Sequence, residues 1–423
     1  MSSVFKKTEE ELKKQEIENI DFDSLLEKGL KIYRLDEKLE LLLYDVADAL
    51  KDQQALLIEA QEGREVAYLI PIFLAYQNTT YFKRFVIATN SSKVRKNILS
   101  KIKELSKLLQ VDMPVHILEN ESKYFCLKKL AGYNKKRKKP LKNFHQNAMG
   151  RNEWRKIQVR NCTLKSCPYF KRCKYAIDYE GISKEGISII SHATLIGNRR
   201  HSQTRNVHED SDIIIIDEAD TFARNIKDAY QQLMSFDYIH NCFSRAKQLL
   251  NRPEYSYITN ENFRELKNFF EELSHCETGE NWKVSPQLQA SSEKLFGVCK
   301  NIIIHLTRQG VIKNFSPEIE QFCDMIYIIE KFFEDIASSG DFFKCQLQEK
   351  ERSEDTPGFR RVQVFYYPNK VDGIISNRLK NENGSIVFTG SRIAEEDGRY
   401  QQLISDCGIE DLKKEVVKEY VLK

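Results

Sequence analysis

No long apolar run occurs in the 423-residue chain. A membrane-spanning helix needs about 20 consecutive, predominantly apolar residues, and no stretch approaches that. The N-terminal segment MSSVFKKTEEELKKQEIENIDF is charged throughout and lacks the apolar core of a signal peptide. We therefore expect a soluble, cytoplasmic protein without a membrane partner.

Cysteine pairs of the CxxC type, which many zinc sites use, are also lacking among the ten cysteines. Six cysteines are scattered singly, as reduced packing residues would be. The other four form one distant residue and a tight triplet, which suits a 4Fe-4S cluster or a tetrahedral zinc ion. The missing pairs favour the iron–sulfur cluster, although four unrelated buried thiols are an alternative. The four are Cys126, Cys162, Cys167 and Cys173.

Acidic residues almost disappear between Lys123 and Lys174, where 17 Lys and Arg residues accompany Glu153 alone. The net charge of +4 therefore conceals one strongly basic segment. Lys and Arg neutralise phosphates and aromatic rings stack on bases, so the segment predicts nucleic-acid binding rather than a solvated charged face. The residues predicted to contact nucleic acid are Lys135, Lys136, Arg137, Lys138, Lys139, Arg155, Arg160, Tyr169, Lys171 and Arg172.

Strand and helix patterns alternate along the first half of the chain. Apolar runs at 55–59, 84–90, 114–118, 187–196 and 212–217 alternate with helical periodicity at 35–50, 66–77 and 92–110. Short connections between such elements are typical of a parallel, doubly wound α/β sheet. Residues 225–350 are mostly helical in pattern, and strands return at 360–368 and 385–393. The pattern predicts an α/β domain interrupted by a cysteine-rich basic insertion and a helical insertion.

The sharpest motif is IIIIDEAD, a buried strand that ends in adjacent carboxylates. In nucleotide motors the first carboxylate, here Asp217, holds Mg²⁺ through water, and the second, Glu218, positions the attacking water. A strand followed by an ordinary acidic turn is the alternative.

Glycine, lysine and hydroxyl residues are scarce where a phosphate loop would need them. LLIEAQEGREVAYLIP has the strand–turn–helix layout of such a loop, but Gly63 is its single glycine. Arg64 differs from the usual lysine in position and shape. We predict a degenerate phosphate loop around Gly63 and Arg64, at which binding of ATP and Mg²⁺ is doubtful.

In order and spacing, seven motifs resemble those of the iron–sulfur helicases of superfamily 2, the XPD/DinG family, and most closely its bacterial DinG branch. They are YRLDEKLELLLYDVADAL, LLIEAQEGREVAYLIP, FVIATNSSKVRKNIL, SKYFCLKKL with CTLKSCPYFKRC, SHATLI, IIDEADTFARN and IVFTGSRI. The resemblance covers roughly residues 30–225 and 360–423. It implies a RecA-like helicase motor domain with a cluster insertion and a helical arch, and ATP-driven 5′-to-3′ movement on single-stranded DNA.

The resemblance also implies roles for single residues and a domain order. The four cysteines named above become the cluster ligands, and Asp217 and Glu218 become the Mg²⁺ and water residues. We expect an N-terminal arm and the first part of the motor domain at 1–120, and the cluster domain at 121–180. The motor domain continues with its DEAD box at 181–225, followed by an arch-like insertion at 226–355. The end of the motor domain and the start of a truncated second motor domain cover 356–423.

Three departures from the family concern ATP. Aligned on AYLIP, the family lysine is placed at Glu65 and the hydroxyl residue at Val66. The family's SAT triplet becomes Gly390, Ser391 and Arg392, and the chain ends about thirty residues later, before a second motor domain. We therefore expect a pseudo-helicase that binds single-stranded DNA or another nucleic acid. One alternative is a fragment of an active helicase, or one half of it that a second motor chain completes. The other is a protein-interaction or inhibitory subunit that acts on a related helicase.

Overall fold

The computed structural model describes residues 16, 19–21, 23–27, 37–52, 55–60, 63–80, 82–135, 151–159, 167–197, 211–250, 258–279, 283–308, 317–338, 343–349, 356–379, 384–394, 400–412 and 416–422. Two compact units divide the chain. The first contains residues 1–226 and 371–423, and the second contains residues 227–370. Within the described ranges, no helix combines the length and apolarity that crossing a membrane requires.

The first unit is built on a seven-stranded sheet. Its strands are β1 (Ala55–Ala60), β2 (Arg84–Ala88), β3 (Val115–Ile117), β4 (Gly186–Ile190), β5 (Ile213–Asp217), β9 (Ser385–Gly390) and β10 (Val416–Leu422). Their order in the sheet is β10-β1-β9-β5-β2-β4-β3, and every pairing is parallel. The predicted parallel α/β sheet is confirmed.

Helices connect these strands, as parallel pairing requires. The longer ones are α1 (Glu37–Asp52), α2 (Arg64–Asn78) and α3 (Ser92–Leu109). Shorter helices are α4 (Leu127–Lys135), α5 (Arg151–Ile157), α6 (Lys174–Gly181), α7 (His192–Ile196), α8 (Phe222–Tyr230), α14 (Asp372–Leu379) and α15 (Gln401–Cys407). The core between helices and sheet is apolar and includes Leu42, Val46, Ile58, Tyr68, Phe73, Ile87, Ile98 and Ile215.

The second unit combines four long helices with a small sheet. The helices are α9 (Phe236–Leu249), α10 (Asn260–Leu273), α11 (Pro286–Arg308) and α12 (Pro317–Ser338), and the short α13 spans Gly358–Arg361. Strands β6 (Gln232–Ser235), β7 (Phe343–Glu349) and β8 (Val362–Pro368) pair antiparallel in the order β6-β8-β7. Its core is rich in phenylalanine: Phe236, Phe243, Phe269, Phe270, Phe322, Phe332 and Phe333.

Two expected domain boundaries are wrong. The strand at 360–368 was assigned to the end of the motor domain, but β8 pairs inside the second unit, which extends to residue 370 rather than 355. Strand β10, expected at the start of a second motor domain, pairs with β1 at the edge of the main sheet. Both differences arise from strand pairing, which a linear pattern leaves open.

Candidate functional site

The carboxyl ends of four neighbouring strands meet at one edge of the sheet. Strand β9 lies between β1 and β5, with Glu59 opposite Gly390 and Asp217 opposite Thr389. Strand β2 lies on the other side of β5. Ligands of open α/β sheets bind beyond the carboxyl ends of strands. The predicted phosphate loop, the acidic pair and the Gly390 turn are therefore brought to one edge.

Helix α2 begins at Arg64, four residues after β1 ends at Ala60. Gly63 has a left-handed φ of 78°, a conformation that favours glycine because it has no Cβ. Its carbonyl accepts hydrogen bonds from the backbone N–H groups of Val66 and Ala67 at 3.0 and 3.1 Å. The strand–turn–helix layout is thus present, and Arg64 is the first helical residue.

Arg64 turns toward the sheet and binds Asp217. Its Nε donates to Oδ1 of Asp217 at 3.0 Å, with 10% and 0% of the two side chains exposed. Its Nη1 donates to the carbonyl of Ala60 at 3.3 Å. Sequence reasoning placed both residues at the site but did not predict that they pair with each other.

Two further donors complete the surroundings of Asp217. The hydroxyl of Tyr68, one helical turn after Arg64, donates to Oδ2 at 3.2 Å, and the backbone N–H of Glu218 donates to Oδ1 at 2.8 Å. Burial raises the pKa of Asp217 to about 6, with Arg64 lowering it and Glu65 raising it. Burial therefore outweighs the attraction of the guanidinium, and the group is mainly a carboxylate at pH 7.

Glu218 points away from Asp217, toward the loop after β2. Its backbone is left-handed, with φ 61°. Its Oε2 accepts hydrogen bonds from Thr89 Oγ1 at 2.6 Å and from the backbone N–H groups of Asn90 and Ser91 at 3.1 and 2.8 Å. The Ser91 hydroxyl in turn caps the start of α3. The carboxylate expected to position water is held by the protein's own donors.

His192, to which sequence reasoning gave no role, lies behind the acidic pair. Its Nε2 is 2.8 Å from the backbone carbonyl of Asp217, to which it must donate, so Nδ1 accepts from Asn225 at 3.0 Å. Burial lowers the pKa of His192 to about 4, and the ring is neutral. The SHATLI motif marked this position, but its hydrogen bonds depend on the fold.

Glu59, also missed from the sequence, holds the turn after β9. Its Oε2 accepts from the backbone N–H groups of Ile393 and Ala394 at 2.8 and 2.6 Å. A Cβ at Gly390 would lie 2.6 Å from Cγ2 of Ile393. A side chain at position 390 would therefore require Ile393 to shift.

The register given above for the phosphate loop is wrong by one residue. The family motif has its own AYLIP-like segment, which aligns with Ala67–Pro71. Counting back from that segment places the family lysine at Arg64 and the hydroxyl residue at Glu65. Arg64 thus stands at the position of the lysine itself. Its side chain is directed to Asp217 rather than left to a phosphate.

The cysteine segment is only partly within the described residues. Cys126 and Cys167 are partly buried, Cys173 is buried, and all three are free thiols, whereas Cys162 lies outside the described ranges. No group of three or more metal-ligating side chains occurs among the residues that are described. A small apolar core of Leu130, Trp154 and Ile157 supports this segment.

The predicted nucleic-acid residues are described in part. Lys135, at the end of α4, is exposed, as are Lys171 and Arg172. The Arg172 guanidinium lies 6.0 Å from the centre of the Tyr169 ring, so a ring and cations share one surface. The backbone of Arg155 lies on α5, but its side chain is not described. The residues outside the described ranges are Lys136, Arg137, Lys138, Lys139 and Arg160.

Comparisons with known proteins add little. No protein-family model matches the chain, and no curated protein matches its sequence. A solved structure titled "Truncated XPD" is similar, with a TM-score of 0.44 and 11% identity, covering 90% of this chain and 99% of that one. That similarity is too low to assign a family.

Proposed function

We propose that this chain is a DinG-like member of the XPD/DinG helicase family that binds single-stranded DNA and does not hydrolyse ATP. One observation supports the proposed absence of ATP hydrolysis. Both carboxylates of the DEAD box, Asp217 and Glu218, are engaged by the protein's own donors.

Mg²⁺ would compete with three internal donors for the Asp217 carboxylate. The ion requires near-octahedral oxygen coordination, and in the family this aspartate reaches it through water. Here the two carboxylate oxygens accept from Arg64, Tyr68 and the Glu218 backbone. A permanent cation already neutralises Asp217, so a divalent ion would have to displace a buried guanidinium that itself needs a counter-charge.

A triphosphate meets further obstacles at the start of α2. The N-terminus of a helix attracts anions, and here Glu65 already supplies a negative charge in the first turn. Glu65 also stands where the loop needs a hydroxyl to ligate Mg²⁺. The repulsion between this carboxylate and a phosphate opposes nucleotide binding.

The cysteine segment fits a 4Fe-4S cluster by its donor chemistry. Three of its four cysteines are free thiols. The rings of Tyr124 and Tyr175, which are two residues from Cys126 and Cys173, have centres 5.3 Å apart. The small core around Trp154 is limited, and metal binding stabilises small domains of this kind. In this proposal Cys126, Cys162, Cys167 and Cys173 hold the cluster, with zinc as the alternative that metal analysis distinguishes.

DNA binding is proposed for the exposed basic residues Lys135, Lys171 and Arg172. These exposed cations suit phosphates, and the Tyr169 ring beside Arg172 suits a base. Such a surface binds single strands with little sequence preference.

Labelled ATP, with and without single-stranded DNA, tests the proposal directly. Wild-type protein and Glu218→Gln should both hydrolyse ATP at the background rate, while fluorescence anisotropy reports binding of a labelled oligonucleotide. ATP turnover that disappears in Glu218→Gln would overturn the inactive assignment. Absence of oligonucleotide binding at low salt would overturn the DNA-binding assignment.

A further inference from the structure

Glu218 fixes the place where helix α3 begins. Three donors from the consecutive residues Thr89, Asn90 and Ser91 converge on one oxygen, Oε2. Hydrogen bonds to an ionised acceptor are stronger than neutral ones. Because these donors form the loop between β2 and α3, the carboxylate determines the position of that loop.

The first turn of α3 connects this loop to the end of β3. The backbone carbonyl of Ser91 accepts from the N–H of Arg95 at 3.0 Å, and the Arg95 guanidinium forms an ion pair with Glu119. Lys123 also contacts Glu119, at 3.0 Å. Burial alone would raise the pKa of Glu119, but Arg95 and Lys123 together lower it. The pair is therefore charged across the neutral range.

From Glu119 the contacts continue to the cysteines. The backbone N–H of Glu119 donates to the Tyr124 hydroxyl at 3.0 Å, and that hydroxyl donates to Asp178 at 2.9 Å. The Tyr124 ring packs edge-on against Tyr175. Tyr124 precedes Cys126 by two residues and Tyr175 follows Cys173 by two. A continuous set of contacts thus joins the DEAD box to the cysteine segment.

We propose that Glu218 is a positioning residue that holds the Thr89–Ser91 loop. Through α3 and Tyr124 it also holds the cysteine segment in the arrangement that binds nucleic acid without a bound nucleotide. The DNA-binding part rests on the function proposed above. The carboxylate here acts on backbone donors, and its effect at the cysteine segment is indirect.

Hydrogen exchange of the DNA-free protein tests the structural half. Glu218→Gln should speed exchange of the Asn90 and Ser91 amides by roughly tenfold, because a neutral amide is a weaker acceptor. The Glu119 amide, which donates to the Tyr124 hydroxyl, should also exchange faster, and so should the Cys126 amide, which lies two residues beyond Tyr124 and donates to Ile157. Thr89→Val, which removes one donor, should give the same pattern more weakly. Glu104→Gln on α3, whose half-exposed carboxylate pairs with Lys101, is the matched control.

A double-mutant cycle on single-stranded DNA affinity tests the functional half. Glu218→Gln and Tyr124→Phe should each weaken binding of single-stranded DNA. The loss of affinity in the double variant should be about fivefold smaller than the product of the two single losses. Independent, merely structural losses would multiply, because Glu218 and Tyr124 have no hydrogen-bond partner in common among the residues that the structure describes. Unchanged exchange at Glu119 and Cys126 in Glu218→Gln, or multiplicative losses, would overturn the inference. Failure of the wild type to bind DNA would instead overturn the proposed function, and the exchange experiment would still decide the positioning role.

Discussion

The Arg64 guanidinium lies 3.0 Å from the Asp217 carboxylate, and both side chains are buried. Under the proposed function, these residues correspond to the phosphate-loop lysine and the Mg²⁺ aspartate of the helicase family. In this chain they bind each other directly. The proposal therefore places an internal cation at Asp217, where an active motor would hold the metal.

Replacing Arg64 by methionine should destabilise the first unit by about 3–5 kcal/mol at pH 7, because it leaves a buried carboxylate without its partner. The loss should be smaller at pH 5, where the unpaired Asp217 takes up a proton. Urea unfolding at both pH values measures the difference.

The double variant Arg64→Met/Asp217→Asn is the control for that experiment. Removing both charges should recover much of the lost free energy of unfolding. A double variant as unstable as Arg64→Met alone would mean that packing, and not the uncompensated charge, causes the loss.

Asp217 should also produce a pH dependence in the wild-type protein. Burial raises the folded pKa of Asp217 from 3.8 to about 6. Because the folded state therefore binds the proton more tightly, this contribution to stability is full below pH 3.8 and is lost as the pH rises through 6. The free energy of unfolding of the wild type should therefore fall, relative to Asp217→Asn, by about 2 kcal/mol between pH 4 and 7. Urea melts of both proteins give this difference curve. A flat curve would show that Asp217 has its ordinary pKa.

The strands were predictable where burial is uniform. All five residues of β5 are buried, as the run Ile213–Asp217 predicted, and β1 and β9 behave similarly. Strand β8 alternates in burial over much of its length, which is typical of an antiparallel sheet with one covered face. Its pattern indicated a strand, but only the pairing with β6 and β7 shows to which sheet it belongs.

The candidate site was predictable as a set of positions but not as a set of contacts. The motifs indicated that Arg64 and Asp217 would come together at one sheet edge. The direction of each side chain depends on local backbone geometry, such as the left-handed Glu218 that turns its carboxylate to Ser91. Glu59 and His192 were missed because their partners are backbone groups distant in sequence.

Cys167→Ser should bleach the brown colour expected of anaerobically purified protein and weaken its binding to single-stranded DNA. Loss of one ligand destabilises the cluster and the small segment that it supports. Iron and sulfide analysis and the visible spectrum are the measurements. Cys276→Ser in the second unit is the control, because Cys276 lies outside the four-cysteine set and should leave the iron content unchanged. Zinc without iron or sulfide in the wild type would refute the cluster.

DNA affinity should fall steeply with salt, because phosphate contacts release condensed counterions. The exposed Lys171 and Arg172 each contribute one such contact in this account. Replacing either by alanine should reduce the slope of log affinity against log salt by about 1. Anisotropy titrations at several NaCl concentrations give the slopes. Affinity that does not change with salt would exclude the basic surface as the binding site.

Calorimetric titration of Mg²⁺–ATP into the wild-type protein tests the central claim most directly. If Arg64 and the chain's own donors fill the cleft, no saturable binding should be detected up to millimolar nucleotide, with or without single-stranded DNA. Micromolar binding that is lost in Asp217→Asn would contradict the account, because it would show that Asp217 still serves a bound metal–nucleotide complex.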